Sequence, residues 1–316
     1  MNAHDGYKTF SPAALLNMTA VPFLIDGVIP LHGLVEIVGP SGSFKSFYAL
    51  HVAADVASRD DDPKNVLYVA AEGFFGIGQR LAAWQSQYRD IPEERFRLIN
   101  VAPKLLVAAD VDRVIATVRR EHSQVIIVDT LARTMGGDEN STKDMTAYTD
   151  ACGRISAETG ALVIVVHHFG WNGERQRGSS VLFAAADAEL TVNRSGDDLT
   201  VKITKGKDFQ DGGNHHFTAK NVPYVAPDGV SATSLVLVPS DGLKAAFRAM
   251  SRYQDLLNVL ETLGKLGATS TEWQKATDMP KRTFQRAIKY LHGTNEIVKE
   301  GSLYKVNQEK GATSAN

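Results

Sequence analysis

The sequence predicts an α/β fold: a mainly parallel sheet covered on both faces, an antiparallel extension of that sheet, and a small helical module behind it. Three observations carry this. Between about residues 34 and 168, short continuous apolar runs alternate with segments of helical periodicity, which is how strands buried on both faces and their crossover helices read. After about residue 187 the strand-like runs are joined by short turns such as Ser195-Gly-Asp-Asp and Asp211-Gly-Gly-Asn, the mark of antiparallel pairing. From Tyr253 three short helical segments and a glycine-centred hairpin follow, a winged-helix pattern.

In chain order, residues 1–30 read as an irregular N-terminal arm with a short helix near Pro12–Met18. Leu34–Val38 is a strand, Gly39–Ser46 a small polar loop and Phe47–Ala57 a helix. Val66–Ala70 follows as a strand after the loop Asp60–Asn65, then a helix around Gly78–Tyr88 and a strand at Phe96–Asn100. Val111–His122 reads as a helix, Val125–Val128 as a buried strand, Met145–Glu158 as a helix and Ala161–Val166 as another buried strand. Four further strands are expected at Ala188–Asn193, Leu199–Lys205, His216–Lys220 and Ser234–Val238. The sheet domain thus spans 31–240, a linker 241–250 and the winged helix 251–306. Within the last, helices fall at Tyr253–Leu266, Thr271–Thr277 and Pro280–His292, and residues 307–316 form a disordered tail.

The 316 residues suit one large domain and one small one. A chain 43% hydrophobic and 22% charged is neither collagen-like nor a disordered polyelectrolyte. One cysteine excludes an internal disulfide and a multi-cysteine metal site, and fits a reducing, cytoplasmic setting. No signal peptide is visible at the start, and no apolar run approaches the roughly 18 residues of a membrane span. A net charge of −2 argues against coating nucleic acid by bulk charge but leaves room for a local basic surface.

The sharpest local signal is Gly39-Pro40-Ser41-Gly42-Ser43-Phe44-Lys45-Ser46, between a buried strand and a helix. A loop of small residues lets backbone N–H groups wrap a polyphosphate, and the helix N-terminus adds partial positive charge. Lys45 would reach the β- and γ-phosphates, and the Ser46 hydroxyl would ligate Mg²⁺. Phe44 stands where the phosphate-loop pattern has glycine; a side chain there crowds the loop or forces an awkward backbone angle.

An enzyme that cleaves a nucleoside triphosphate needs a carboxylate on the metal side and usually another to orient water. Asp129 ends the apolar strand Val-Ile-Ile-Val-Asp and takes the first part. Glu72, after the strand Val66–Ala70, takes the second, at the tip of the strand expected to neighbour the phosphate-loop strand. His167 and His168 end another buried strand, where ligands gather in open α/β sheets; His168 is cast as the γ-phosphate sensor. The polar loop after it carries Arg175 and Arg177, suited to single-stranded nucleic acid. Lys205 and Lys207, at a strand end, could reach a neighbouring subunit's nucleotide.

The ordered set GPSGSFKS, VLYVAAEG, VIIVDTLAR, GGDENSTKDM, VIVVHH, RGSSVLFAAAD and KGKD resembles the RepA-like (AAA_25) branch of RecA-fold ATPases, akin to the hexameric replicative helicases of plasmids and phages. The resemblance covers roughly residues 20–225. It implies a RecA-like core, ATP and Mg²⁺ as cofactors, Lys45 and Ser46 on phosphates and metal, Asp129 on the metal shell, Glu72 as base and His168 as the sensor coupling hydrolysis to DNA. It places Arg177 next to a DNA-facing loop and Lys207 where many relatives carry an arginine finger. Lysine delivers charge there without the bidentate fork. A finger supplied in trans implies a homo-oligomer, a hexameric ring or a filament, in which an isolated chain is a poor ATPase.

Between Lys244 and Lys310 stand twelve Lys and Arg against seven Asp and Glu, a basic segment in an otherwise acidic chain. The third helix sets Lys281, Arg282, Gln285, Arg286 and Lys289 near one another, with Phe284, Ala287, Ile288 and Leu291 toward the core. A basic recognition helix followed by a wing reads as DNA-binding. Cys152 reads as a packed thiol, Trp273 and Tyr290 as core, and His215-His216 as turn residues. The functional expectation is an ATP-dependent motor on single-stranded DNA, of the replicative-helicase kind and with no membrane role. The alternatives are a recombination or strand-annealing protein and a nucleotide-binding DNA adaptor that hydrolyses ATP weakly.

Overall fold

The computed structural model describes residues 9–17, 21–168, 180–240, 256–264, 267–277, 279, 281–293 and 296–307. The chain divides into two compact units, Met1–Pro239 and Ser240–Asn316.

The first unit opens with a short helix, α1 (Pro12–Leu16), capped by Ser11, whose Oγ accepts from the Ala14 N–H at 3.2 Å. The arm is not irregular throughout. β1 (Phe23–Ile25) and β2 (Ile29–Pro30) pair antiparallel around Gly27, whose φ is +64°. Leu24, Val28 and Ile29 are buried. The Asp26-Gly27 pair between apolar residues is the local turn signal for this hairpin.

The body is a nine-stranded sheet. Its elements are β3 (Leu34–Gly39), α2 (Lys45–Ser58), β4 (Val66–Ala70), α3 (Phe74–Gln87), β5 (Phe96–Ile99), α4 (Ala108–Arg120), β6 (Val125–Asp129), α5 (Leu131–Thr134), α6 (Thr142–Thr159), β7 (Leu162–His168), α7 (Val181–Ala185), β8 (Ala188–Ser195), β9 (Asp198–Gly206), β10 (Asn214–Val225) and β11 (Ser231–Pro239). The strand order is β11-β10-β9-β8-β3-β7-β6-β4-β5. Strands β8, β3, β7, β6, β4 and β5 run parallel, and β9, β10 and β11 extend them antiparallel.

Four expectations need correction. The extension begins one strand later than the sequence texture placed it, because β8 pairs parallel with β3. The strand before Glu72 is not a neighbour of the phosphate-loop strand; β7 and β6 lie between β3 and β4. Strand order depends on crossovers that periodicity does not encode. Helices α3 and α4 begin earlier than their periodicity. Gly73, at φ +66°, turns the chain into α3, whose first residues Phe74 and Phe75 are exposed aromatics that hide the helical pattern. His215 and His216 are not in a turn but at the start of β10, where His216 Nδ1 meets Thr200 Oγ1 at 3.2 Å.

Alternation along the strands divides the core. On one face, Tyr48, Ala49, Val52 and Val56 of α2 pack on Val35, Ile37, Ile127 and Ile164. On the other, Val111, Val114 and Val118 of α4 and Met145, Tyr148 and Cys152 of α6 pack on Ile126, Val163 and Val165. Cys152 is fully buried, which pushes its thiol up to about 12 and keeps it unreactive. No helix among the described residues is long and apolar enough to cross a membrane.

The second unit holds a helical stretch, α8 (256–262), then β12 (Ala268–Thr269), α9 (Ser270–Thr277), α10 (Lys281–Gly293), β13 (Ile297–Glu300) and β14 (Leu303–Val306). The three strands pair antiparallel in the order β12-β14-β13. Its core gathers Leu256, Leu260, Trp273, Phe284, Leu291 and Ile297. Trp273 is fully buried and its Nε1 donates to the Leu256 carbonyl at 2.9 Å. Phe284, Ala287, Ile288 and Leu291 are buried, as their spacing on the helix requires. The linker expected at 241–250, the side chain of Tyr290 and the tail from residue 308 lie outside the described residues.

Candidate nucleotide site

The site grows from the end of β3. Gly39 must be glycine: a Cβ there would stand 2.3 Å from the Val192 carbonyl oxygen and 2.9 Å from Ser43 Oγ. Gly42 takes φ +74°. Ser43 N–H donates to the Pro40 carbonyl at 3.2 Å, turning Pro40-Ser41-Gly42-Ser43 back on itself before α2 starts at Lys45. The first amides of a helix have no acceptor within it, and α2 aims its own at this loop.

Phe44 carries the awkward angle that its side chain threatens, with φ +67°. Its ring does not fill the loop. It packs edge-on against Phe47 with centroids 5.3 Å apart, and the Arg194 guanidinium sits 3.7 Å above it.

Lys45 is 4% exposed and its Nζ donates to the Pro40 carbonyl at 2.8 Å. Burial pulls its ammonium down to about 8, against the opposing charges of Asp129 and Glu72. Ser46 Oγ donates to Asp129 Oδ1 at 3.0 Å, and the Tyr68 hydroxyl donates to Asp129 Oδ2 at 2.7 Å. Burial of Asp129 raises its carboxyl, while the hydrogen bonds from Tyr68 and Ser46 oppose the rise. A divalent cation beside this carboxylate would relieve the same desolvation.

Two candidates reach this cluster from neighbouring strand tips. Asp129 on β6 and Ala70 on β4 are register partners, and the Ala71 N–H donates to the Asp129 carbonyl at 2.9 Å, so Glu72 emerges beside Asp129. Its Oε1 accepts from Thr130 Oγ1 at 3.3 Å and from Arg133 Nε at 3.1 Å. On β7, His168 is the register partner of Gly39. Alternation sets His168 on the α2 face with Asp129. It sends His167 to the other face, where it is 2% exposed with Nδ1 3.8 Å from Glu139 Oε2.

The remaining predicted residues do not join them. Lys205 and Lys207 lie at the opposite end of β3. Gly206 is the partner of Ala188, and the Lys207 N–H donates to the Asp187 carbonyl. The length of β3, on the order of 17 Å, separates them from the phosphate loop of their own chain. Lys205 Nζ donates to the carbonyls of Phe183 and Ala184 at 2.5 and 3.1 Å, and Lys207 Nζ is 3.3 Å from Asp187 Oδ1. Arg175 and Arg177 lie outside the described residues. Lys281, Arg282 and Arg286 are on α10, their side chains likewise outside the description, and Gln285 and Lys289 are exposed there.

Sequence reasoning missed five participants. Tyr68 had a signal: inside an apolar strand it shares the parity of Ala70, the partner of Asp129. Thr130 adjoins Asp129 and Arg133 lies four residues beyond it on α5, and neither was singled out from the sequence. Arg80 Cζ stands 4.5 Å over the Phe47 ring, and its charge favours the ionised form of Asp129. Arg194, distant in sequence, gave no signal.

Among the described residues no group of three His, Cys, Asp or Glu is placed to hold a metal unaided. Ser46 and the buried Asp129 therefore fit Mg²⁺ in the way Mg²⁺ is usually held, by few protein oxygens with phosphates completing its shell. Bound there, it would neutralise developing phosphate charge. Lys45 and the loop amides supply the remaining positive field, and Thr130 and Arg133 fix the orientation of Glu72.

No curated protein matches the chain. The AAA domain family AAA_25 matches residues 16–174, half of the chain, including the ends of β3, β4, β6 and β7. On that match, and on the buried Lys45 beside a Ser46–Asp129 hydrogen bond at a glycine-bounded loop, the chain belongs to the AAA_25 family of P-loop ATPases.

Proposed function

We propose that this ATPase is a DNA-processing motor, most simply of the replicative-helicase kind, which binds ATP with Mg²⁺ and acts on single-stranded DNA as a homo-oligomer. The observation that carries the catalytic half is the convergence of Lys45, Ser46, Asp129 and Glu72 from three separate strand ends. The DNA half is supported by the excess of Lys and Arg between Lys244 and Lys310. It is supported too by the second unit, in which α10, with Lys289 exposed, is followed by the antiparallel pair β13 and β14, as a reading of it as a winged helix requires. The oligomer reading is supported by the distance of Lys205 and Lys207 from their own chain's loop, so that any nucleotide contact they make needs a second chain. The test is the rate of phosphate release with and without single-stranded DNA, alongside particle mass with nucleotide. Severalfold stimulation together with a ring- or filament-sized particle supports the motor. A rate indifferent to DNA sinks it.

One observation favours a second reading, a nucleotide-binding DNA adaptor with weak hydrolysis. The carboxylate cast as the water-orienting base is engaged by a guanidinium, Glu72 Oε1 to Arg133 Nε at 3.1 Å. Unwinding of a forked DNA substrate separates the two readings, since the adaptor separates no strands.

A further inference from the structure

A bulky residue at positive φ in a phosphate loop demands an explanation, since only glycine adopts that backbone without strain. Phe44 is one of three non-glycine residues at positive φ among the described residues, and it stands beside the buried Lys45. Its surroundings form a continuous stack. The Arg194 guanidinium lies 3.7 Å over the Phe44 ring, Phe44 meets Phe47 edge-on at 5.3 Å, and the Arg80 guanidinium lies 4.5 Å over Phe47. One end of the stack comes from β8 and the other from α3, so the loop and the first turn of α2 are gripped from both sides. Arg194 is anchored by its Nε donating to the Gly196 carbonyl at 2.6 Å. It also reaches the loop directly, with Nη1 3.4 Å from the Gly42 carbonyl oxygen.

We infer that Arg194 is a positioning residue for nucleotide binding: through the Phe44 ring it holds the phosphate loop in its binding-ready shape, in place of the glycine the loop lacks. The inference rests on the nucleotide reading of the loop. Arg194 acts through Phe44 and not on the phosphates. Removing it lets the ring turn and the loop relax, which weakens capture of nucleotide and leaves the chemistry of bound nucleotide alone.

Two measurements test this. Hydrogen exchange over residues 39–47 of the nucleotide-free full chain needs no ligand: Arg194→Ala should speed exchange there selectively, and Arg194→Lys, which keeps a cation over the ring, should restore much of the protection. Binding of a fluorescent ATP analogue with Mg²⁺ reads the consequence. Arg194→Ala should weaken it about threefold to tenfold, the range of one cation–π contact, raising KM with little change in kcat. In a Phe44→Gly chain, Arg194→Ala should cost nothing further. Parent-like exchange over 39–47 in Arg194→Ala overturns the inference, as does the same loss of affinity in the Phe44→Gly background, which would mean that Arg194 acts on the Gly42 carbonyl or on the nucleotide and not through the ring. If Lys45→Ala binds the analogue as well as the parent, the nucleotide reading falls separately, while the exchange result still decides the clamp.

Discussion

Lys45, at the start of α2, and Lys207, just after β9, lie beyond opposite ends of β3, and each lies near an aspartate, Asp129 in one case and Asp187 in the other. Lys45 is 4% exposed, sits behind a loop that forbids a Cβ at Gly39, and is pulled down to about 8 by burial. The Lys207 side chain is 60% exposed and 3.3 Å from an aspartate that is itself partly in solvent. The opposing charges are alike; the solvent is not. Water screens the second pair into an ordinary surface contact, while its exclusion at the first leaves a cation with incomplete compensation, which an anionic ligand would satisfy. Enclosure, more than proximity of charge, separates the candidate site from the surface.

The comparison is broken most directly at Lys45. Lys45→Met should abolish nucleotide binding and phosphate release, a loss of about a hundredfold or more. The same change should stabilise the nucleotide-free chain at neutral pH. Because the folded-state value of Lys45, about 8, lies below the unfolded 10.5, its burial cost is fully present below pH 8 and fades as pH rises toward 10.5. Thermal melts of parent and variant should therefore differ most below pH 8, by on the order of 3 kcal/mol at most, and converge in alkali. A midpoint for Lys45→Met that falls at pH 7 would show that the ammonium is well compensated without ligand.

Tyr68→Phe removes a buried donor from Asp129 and should cost about 1–3 kcal/mol of unfolding free energy. Urea denaturation checks it; a cost near zero would mean that Asp129 is already neutral in the nucleotide-free chain. Arg133→Ala frees Glu72 from its guanidinium. If that ion pair restrains hydrolysis, phosphate release at saturating ATP should rise severalfold with unchanged analogue affinity. A fall instead would show that Arg133 aims Glu72 productively. The smallest effect belongs to the other end of β3: Lys207→Ala should change stability by less than about 0.5 kcal/mol and leave analogue affinity at the parent value. A clear loss of affinity in dilute, monomeric chain would overturn the placement of Lys207 away from its own nucleotide.

Much of this site was legible residue by residue. The phosphate loop, Ser46, Asp129 and Glu72 announce themselves because each follows a short apolar strand, and a strand's end is a local feature. His168 was separable from His167 only by parity, which the strand bounds supply. Arg80 and Arg194 were illegible: each matters through an aromatic ring on another element, and nothing in its own neighbourhood marks it. The N-terminal hairpin was missed for a different reason, since three- and two-residue strands leave too short a pattern to count.

By itself the sequence determined which segments become buried strands, which loop can wrap phosphate, and which side chains stand at strand ends, because side-chain alternation and glycine's backbone freedom act over a few neighbouring residues. Only the tertiary structure decided that β7 and β6 come between β3 and β4, that Asp129 is shared by Ser46 and Tyr68, and that a phenylalanine is tolerated at a glycine's backbone angle. Those outcomes depend on crossovers and on packing between residues far apart in the chain, where the energy of a contact exists only once the sheet has assembled.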